Sequence, residues 1–194
     1  HMKNLLFYIL FIFTFSLFSQ EIKQDTTSVQ NLEEVIVSSI RVKQNAPIAF
    51  TNVSKEELGK KNLGQDLPIL LNSLTSVVTT SDAGAGVGYT GIRIRGINAQ
   101  STNITINGIP YNDAESLGTF WVDLPDFASS VENLQLQRGV GTSTNGSSAF
   151  GASINILTNL ISKTPYFENS NSIGSYNTTK NTFKFSTGIL NDYF

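Results

Sequence analysis

The chain has 194 residues, 40% of them hydrophobic, enough for one ordinary domain with a real core and some appendages. Charged residues make up only 14%, against roughly 25% in a typical soluble domain, while Asn, Ser, Thr and Gly are abundant, a balance that suits β-rich exported proteins. A net charge of -2 without any block of like charge gives no electrostatic case for nucleic acid or an anionic membrane surface. With no cysteine and His1 as the only histidine, thiolate catalysis, Cys-ligated metals, disulfides and imidazole chemistry are excluded, and no cofactor is implied.

In chain order, His1-Met2 reads as a tag remnant ahead of Lys3, and the apolar run Leu5–Phe18 ends abruptly at Ser19-Gln20-Glu21, the layout of a signal peptide removed near Ser19. The run is shorter than the roughly 20 residues of a membrane-spanning helix. An uncleaved anchor is the alternative, because Leu17 is not small and the leading region carries a single Lys. Residues 21–30 are polar and aperiodic and read as a linker. Leu32-Glu33-Glu34-Val35-Ile36-Val37-Ser38 is a short β-branched stretch that any strand could show.

Ser54 with Glu57 three residues on forms a capping box that opens a short helix to about Lys61. Gln65–Leu74, with Asp66 and Pro68 at its start and Leu67, Leu70, Leu71 and Leu74 on one face, reads as a second. From Ser76 onward strands follow, punctuated by glycine: Val77–Thr80, Gly91–Gly96, Asn103–Asn107, Val131–Gln137 and Ser153–Thr158. Helices first and strands after make an α+β domain with a short mixed sheet. Ser172–Tyr176 and Thr182–Ile189 differ. Phe183 and Phe185 fall on one face and Thr182, Lys184 and Ser186 on the other, with a turn at Asn177-Thr178-Thr179, as in a transmembrane β-barrel. A barrel needs about eight strands or more, so the chain is expected to stop inside one. The expected divisions are 1–19, 20–45, 46–162 and 163–194.

Gly86-Val87-Gly88-Tyr89-Thr90-Gly91 satisfies the G-x-G-x-x-G expression, with Asp113 where a ribose-binding acid would sit. That fingerprint must open a helix, however, and Ile92-Arg93-Ile94-Arg95 alternates as a strand. The stretch is better read as a turn that approaches another molecule closely. Asp113, Glu115, Asp123 and Asp126 fit no calcium loop and read as solvated loop acids. The loop from Tyr111 and Asn112 to Phe120 and Trp121 either meets a ligand or lets Phe120 and Trp121 fill an apolar gap beneath it. Arg138, at a strand end before Gly139, reads as an ion-pair arginine.

Together these stretches resemble the N-terminal part of TonB-dependent outer-membrane receptors. Leu32–Ser38 looks like the TonB box, and Gly91-Ile92-Arg93-Ile94-Arg95-Gly96 and Thr105-Ile106-Asn107-Gly108-Ile109-Pro110 look like successive plug motifs. Val131–Gly139 and Ser148–Ile156 are similar to the motifs that follow in the same order. Val140, Asn107 and Ala152 depart mildly from the family pattern. The resemblance implies a plug domain followed by the first barrel strands and a part in active import across the outer membrane, with no enzymatic step. It also implies TonB bound at Leu32–Ser38 by strand addition, lipid around the barrel, and an imported siderophore, cobalamin-like molecule, oligosaccharide or peptide. Gly86, Tyr89, Tyr111, Asn112, Asp113, Glu115, Phe120 and Trp121 would face that ligand, and Arg93, Arg95, Glu132 and Arg138 would form ion pairs holding the plug. The competing reading is a secreted β-rich binding or adhesion module without transport.

Overall fold

The computed structural model describes residues 41–43, 45–140 and 149–189, all within one compact unit, Asn31–Phe194. The first described strand, β1 (Phe50–Ser54), runs directly into helix α1 (Lys55–Lys61). Ser54 is the hinge: its hydroxyl accepts from the Glu57 N–H at 3.3 Å, and the Glu57 carboxylate accepts from the Ser54 N–H at 2.9 Å, so the expected capping box is formed. Helix α2 (Leu67–Leu71) is shorter than its Leu pattern implied. Ser76 takes φ +64 to launch the next strand, so the chain unwinds through the turn bonds from Asn72 N–H to Ile69 and from Leu74 N–H to Leu71. Leu74 still packs on the core, from a turn and not from the helix.

Strands β2 (Val77–Ser81) and β3 (Thr90–Ile94) form an antiparallel hairpin whose connection is the glycine-rich stretch. Gly91 lies inside β3, where a Cβ would meet Thr80 Oγ1 at 2.7 Å, and no helix follows it. Strand β4 (Thr102–Ile106) turns into the short β5 (Ile109–Pro110) through Asn107-Gly108, both at positive φ, the two-residue hairpin turn for which Asn-Gly is favoured. Strands β6 (Val131–Arg138) and β7 (Ala152–Thr158) complete a mixed five-stranded sheet of order β1-β6-β7-β4-β5, parallel only between β4 and β7.

Alternation along these strands gives the sheet two unlike faces. One carries Val53, Ile104, Leu134, Leu136, Ile154 and Ile156 into a single core with Leu58 of α1, Leu67, Leu70 and Leu71 of α2, Val77, Ile92 and Ile94 of the hairpin, and Trp121. The other is hydrophilic yet buried. Asn103 bonds Ser153, Thr105 bonds Asn155, and Gln135 bonds Asn52, at 3.3, 2.7 and 2.8 Å.

Strands β8 (Tyr166–Ile173) and β9 (Thr179–Ser186) form a separate antiparallel pair. Tyr176 and Asn177 take φ +54 and +60, and the Gly174 N–H bonds the Thr178 carbonyl at 2.7 Å. The chain therefore turns earlier than expected, and β8 lies almost wholly before its expected start. Its segment, Tyr-Phe-Glu-Asn-Ser-Asn-Ser-Ile, has too few apolar residues to show a strand period. The split of faces is as the sequence indicated: Phe183 and Phe185 point outward, 66% and 80% exposed.

Candidate functional site

The stretch expected to bind TonB, Leu32–Ser38, lies outside the described residues. The loops expected to face ligand divide sharply between exposed and structural positions. In the β2–β3 connection Tyr89 is 70% exposed. Gly86, by contrast, is buried. Its carbonyl accepts from the Asp66 N–H at 2.9 Å, its N–H donates to Ser81 Oγ at 3.1 Å, and a Cβ there would meet Ile69 at 3.2 Å. Gly86 thus turns inward because the loop is fastened to the start of α2, which corrects its expected ligand-facing role. Asp66 Oδ2 reinforces the fastening by accepting from Thr90 Oγ1 at 2.8 Å.

The long loop after β5 is similarly divided. Asn112 spends its carboxamide on the backbone, accepting from the Ile104 N–H at 2.7 Å and donating to the Thr102 and Leu117 carbonyls, both at 2.9 Å. It extends the edge of β4 and is committed to structure, a second correction. Trp121 is 3% exposed and belongs to the core, so of its two readings the gap-filling one holds. Tyr111 is half-buried and packs against the same core. Asp113, Glu115 and Phe120 remain exposed. Asp113 Oδ1 accepts from the Ser116 and Glu115 N–H groups, and these bonds, led by Ser116, hold its carboxyl below the ordinary aspartate value.

The four expected ion-pair residues also separate. Glu132 pairs with Lys55 of α1 at 3.4 Å, with both side chains 41% exposed. Arg93 is exposed on β3. Arg138 donates from Nε to the Thr75 carbonyl at 3.0 Å and from Nη1 to Thr51 Oγ1 at 2.9 Å. Burial first, and the neighbouring Arg95 second, push its guanidinium below the ordinary value. Among the described residues, the ion pairs involve none of Arg93, Arg95 and Arg138.

One ion pair that sequence reasoning missed joins the β8–β9 pair to the turn before β6. The inward face of the β8–β9 pair carries Glu168, Ser170, Ser172, Lys180, Thr182 and Lys184, and with α1 and the turn before β6 it encloses a polar cleft of about 290 Å³. Across it Lys180 Nζ meets Asp126 Oδ1 at 2.7 Å and Ser129 Oγ at 2.7 Å, while Lys184 Nζ donates to the Ser129 carbonyl at 2.7 Å. Asn62, at the end of α1, donates to Asp126 at 3.0 Å. Burial pushes the Asp126 carboxyl up. The bonds from Lys180, Ser129 and Asn62 and the charge of Lys180 outweigh it and hold the group below its ordinary value. Asp126 is therefore no solvated loop acid. The available signal was Lys180, Thr182 and Lys184 at a spacing of two, opposite the phenylalanines.

A hydrophilic strand face fixed on an α+β domain, with aromatic residues looking away, is the arrangement of a domain lodged inside a barrel wall. Residues 42–153 match the family model described as TonB-dependent Receptor Plug Domain. The chain belongs to the TonB-dependent receptors, as a plug domain followed by antiparallel strands. It is 29% identical over 133 residues to the vitamin B12 transporter BtuB of Vibrio vulnificus, covering 67% of this chain and 21% of that protein. It is 30% identical over 144 residues to the iron-regulated outer membrane virulence protein of Vibrio cholerae, covering 70% of this chain and 21% of the relative. The fold also matches the ferric yersiniabactin uptake receptor FyuA of Yersinia pestis, with TM-score 0.55 and 20% identity over 74% of this chain and 22% of that one. The chain thus spans about a fifth of the length of the curated relatives it matches.

Proposed function

We propose that this chain is the plug and energy-coupling part of a TonB-dependent transporter that imports a scarce nutrient across the outer membrane. The observation that carries the reading is the junction just described. Lys180 and Lys184 turn a strand pair's hydrophilic face onto the plug, while Phe183 and Phe185 face where lipid would lie. An adhesion module has no need of strands with a dry outer face and a wet inner one, and nothing observed favours it.

In this reading residues 1–19 are removed on export, 20–45 form the periplasmic linker and 46–162 the plug, and 163–194 begin the barrel. Val35, Ile36 and Val37 add as a strand to the sheet of TonB, where backbone hydrogen bonds resist force. Arg95 and Arg138 are adjacent like charges, an arrangement that favours an anionic group from the barrel wall between them, and Arg93 is exposed for a similar contact. Tyr89, Phe120, Asp113 and Glu115 are the exposed groups available to ligand. Relatives named as a vitamin B12 transporter and as a probable siderophore receptor favour a cobalamin-like molecule or a siderophore over an oligosaccharide or peptide. The mechanism is binding and mechanical release, with no covalent step.

Binding of the periplasmic C-terminal domain of TonB to the intact receptor tests this directly, with Val35→Pro as the comparison, since Pro removes a backbone donor. Saturable binding lost in the variant is expected. Binding indifferent to Pro, or none at all, would remove the coupling role.

A further inference from the structure

Asn107-Gly108 is the one Asn-Gly pair among the described residues. Asparagine loses its side-chain amide most readily at such a bond, because glycine has no side chain to hinder its own nitrogen. That nitrogen gives up its proton and attacks Cγ of the asparagine. The Cγ–Nδ2 bond breaks, ammonia leaves carrying the proton, and a five-membered succinimide remains. Water then opens the ring at either carbonyl, giving aspartate or isoaspartate. One water is consumed and one ammonia released, with no oxidant and no cofactor.

Asn107 is exposed, so solvent is at hand and only geometry opposes the reaction. Asn107 Nδ2 donates to Thr158 Oγ1 at 2.8 Å, and Oδ1 accepts from the Thr158 N–H at 3.0 Å. The carboxamide is thus held sideways against the end of β7, where Thr158 is itself paired with Val131 of β6. The Asn107 N–H donates to the Ile156 carbonyl at 2.9 Å, so backbone and side chain together continue the parallel β4–β7 pairing past Ile106. Asn107 and Gly108 hold φ +51 and +83. Closing the ring has to pull Cγ away from Thr158 and rotate the intervening peptide unit out of this left-handed turn.

We propose that Asn107 is a deamidation site that Thr158 keeps closed while β4 and β7 are paired, and that becomes reactive whenever this end of the sheet opens. The two products differ in consequence. Aspartate keeps the backbone intact, and its carboxylate still accepts from Thr158. Isoaspartate inserts the side-chain methylene into the main chain, lengthening a two-residue turn whose size sets the register of Ile106 with Ile109. Strand β5 then leaves the sheet edge, and the Tyr111 N–H loses its 2.8 Å bond to the Ile104 carbonyl. Modification of one residue thereby unseats the start of the exposed loop that carries Asp113, Glu115 and Phe120. None of this depends on what the receptor imports.

The test incubates the intact receptor in detergent, its Thr158→Val and Thr158→Ser variants, and the receptor unfolded in urea, all in mildly alkaline buffer. Mass spectrometry of the peptide carrying Asn107 follows conversion of amide to acid and separates aspartate from isoaspartate. Deamidation is expected to be fastest in the unfolded chain and slowest in the native receptor. Thr158→Val, which loses the hydroxyl acceptor and keeps the N–H, should speed it about fivefold, the equivalent of one typical hydrogen bond. Thr158→Ser keeps the hydroxyl and should match the native rate. Receptor bearing isoaspartate should lose hydrogen-exchange protection at Tyr111 while β6 and β7 keep theirs. A rate unchanged by Thr158→Val in an intact sheet would overturn the proposal, and so would equal rates in native and unfolded receptor. The native and unfolded comparison needs no variant and decides the matter if Thr158→Val does not fold.

Discussion

Lys180 of β9 and Asp126 of the turn before β6 meet at 2.7 Å, the one ion pair among the described residues that ties the strand pair to the plug. Asp126 holds φ +49, a left-handed conformation that a non-glycine residue adopts at a cost of about 1–2 kcal/mol. Its position is over-determined by Asn62, Ser129 and Lys180, which together aim the carboxylate at the hairpin.

Asp126→Asn keeps the shape and removes the charge. It should weaken the junction by about 1 kcal/mol, a figure held low because the Asp126 side chain is 37% exposed. Faster hydrogen exchange over residues 126–131 and 180–184 would report it. The sign with pH follows from the depressed carboxyl. Its contribution is complete above the unfolded value near 4 and is lost as pH falls through the lower folded value. Urea midpoints measured from pH 6 down to pH 3 should therefore converge for the two proteins at the acid end. Parallel curves would contradict the assignment.

Gly151 is closed to any side chain, since a Cβ would run into Ile97 Cγ2 and stand 3.1 Å from the Ser101 carbonyl. Gly151→Ala should destabilise the plug by about 1–3 kcal/mol, the usual cost of overpacking. Thermal unfolding of the variant checks it, and a midpoint within a degree of the parent would show that the contact relaxes freely.

Ser54→Ala removes the side-chain half of the capping box at α1. The expected loss is about 1 kcal/mol, seen as faster amide exchange in residues 56–58, with α2 unaffected. An equal effect on both helices would mean that the cap acts through the core and not on the helix end.

Thr90→Val leaves the Asp66 carboxylate, 1% exposed, without its hydroxyl donor, and Oδ1 has no partner among the described residues. The cost is about 1–3 kcal/mol, and the β2–β3 connection should loosen with it. Limited proteolysis would show new cleavage within residues 82–89. Continued resistance would place the fastening in the Gly86 to Asp66 backbone bond alone.

Much of the fold was legible because local chemistry and tertiary structure agreed. Ser54 with Glu57, the Asn107-Gly108 turn and the alternation of Ile92 and Ile94 with Arg93 each specify their own geometry within a few residues. The candidate site was less so. Gly86, Asn112 and Trp121 have the chemistry of ligand-facing groups but are turned to α2, to the edge of β4 and to the core by contacts with the elements that flank their loops. Nothing in a loop's own composition separates an amide that reads a ligand from one that completes a strand edge.

The sequence by itself determined the start of α1, the periods of β3 and β4 and the two faces of β9 at Phe183 and Phe185, because these depend on residues within hydrogen-bonding or pleat distance along the chain. Only the tertiary structure decided that Lys180 finds Asp126 and that Gln135 holds Val42, which is 93 positions away in the chain. Such partners are chosen by how the sheet stacks its strands, and a hydrophilic side chain carries no mark of which distant backbone will reach it.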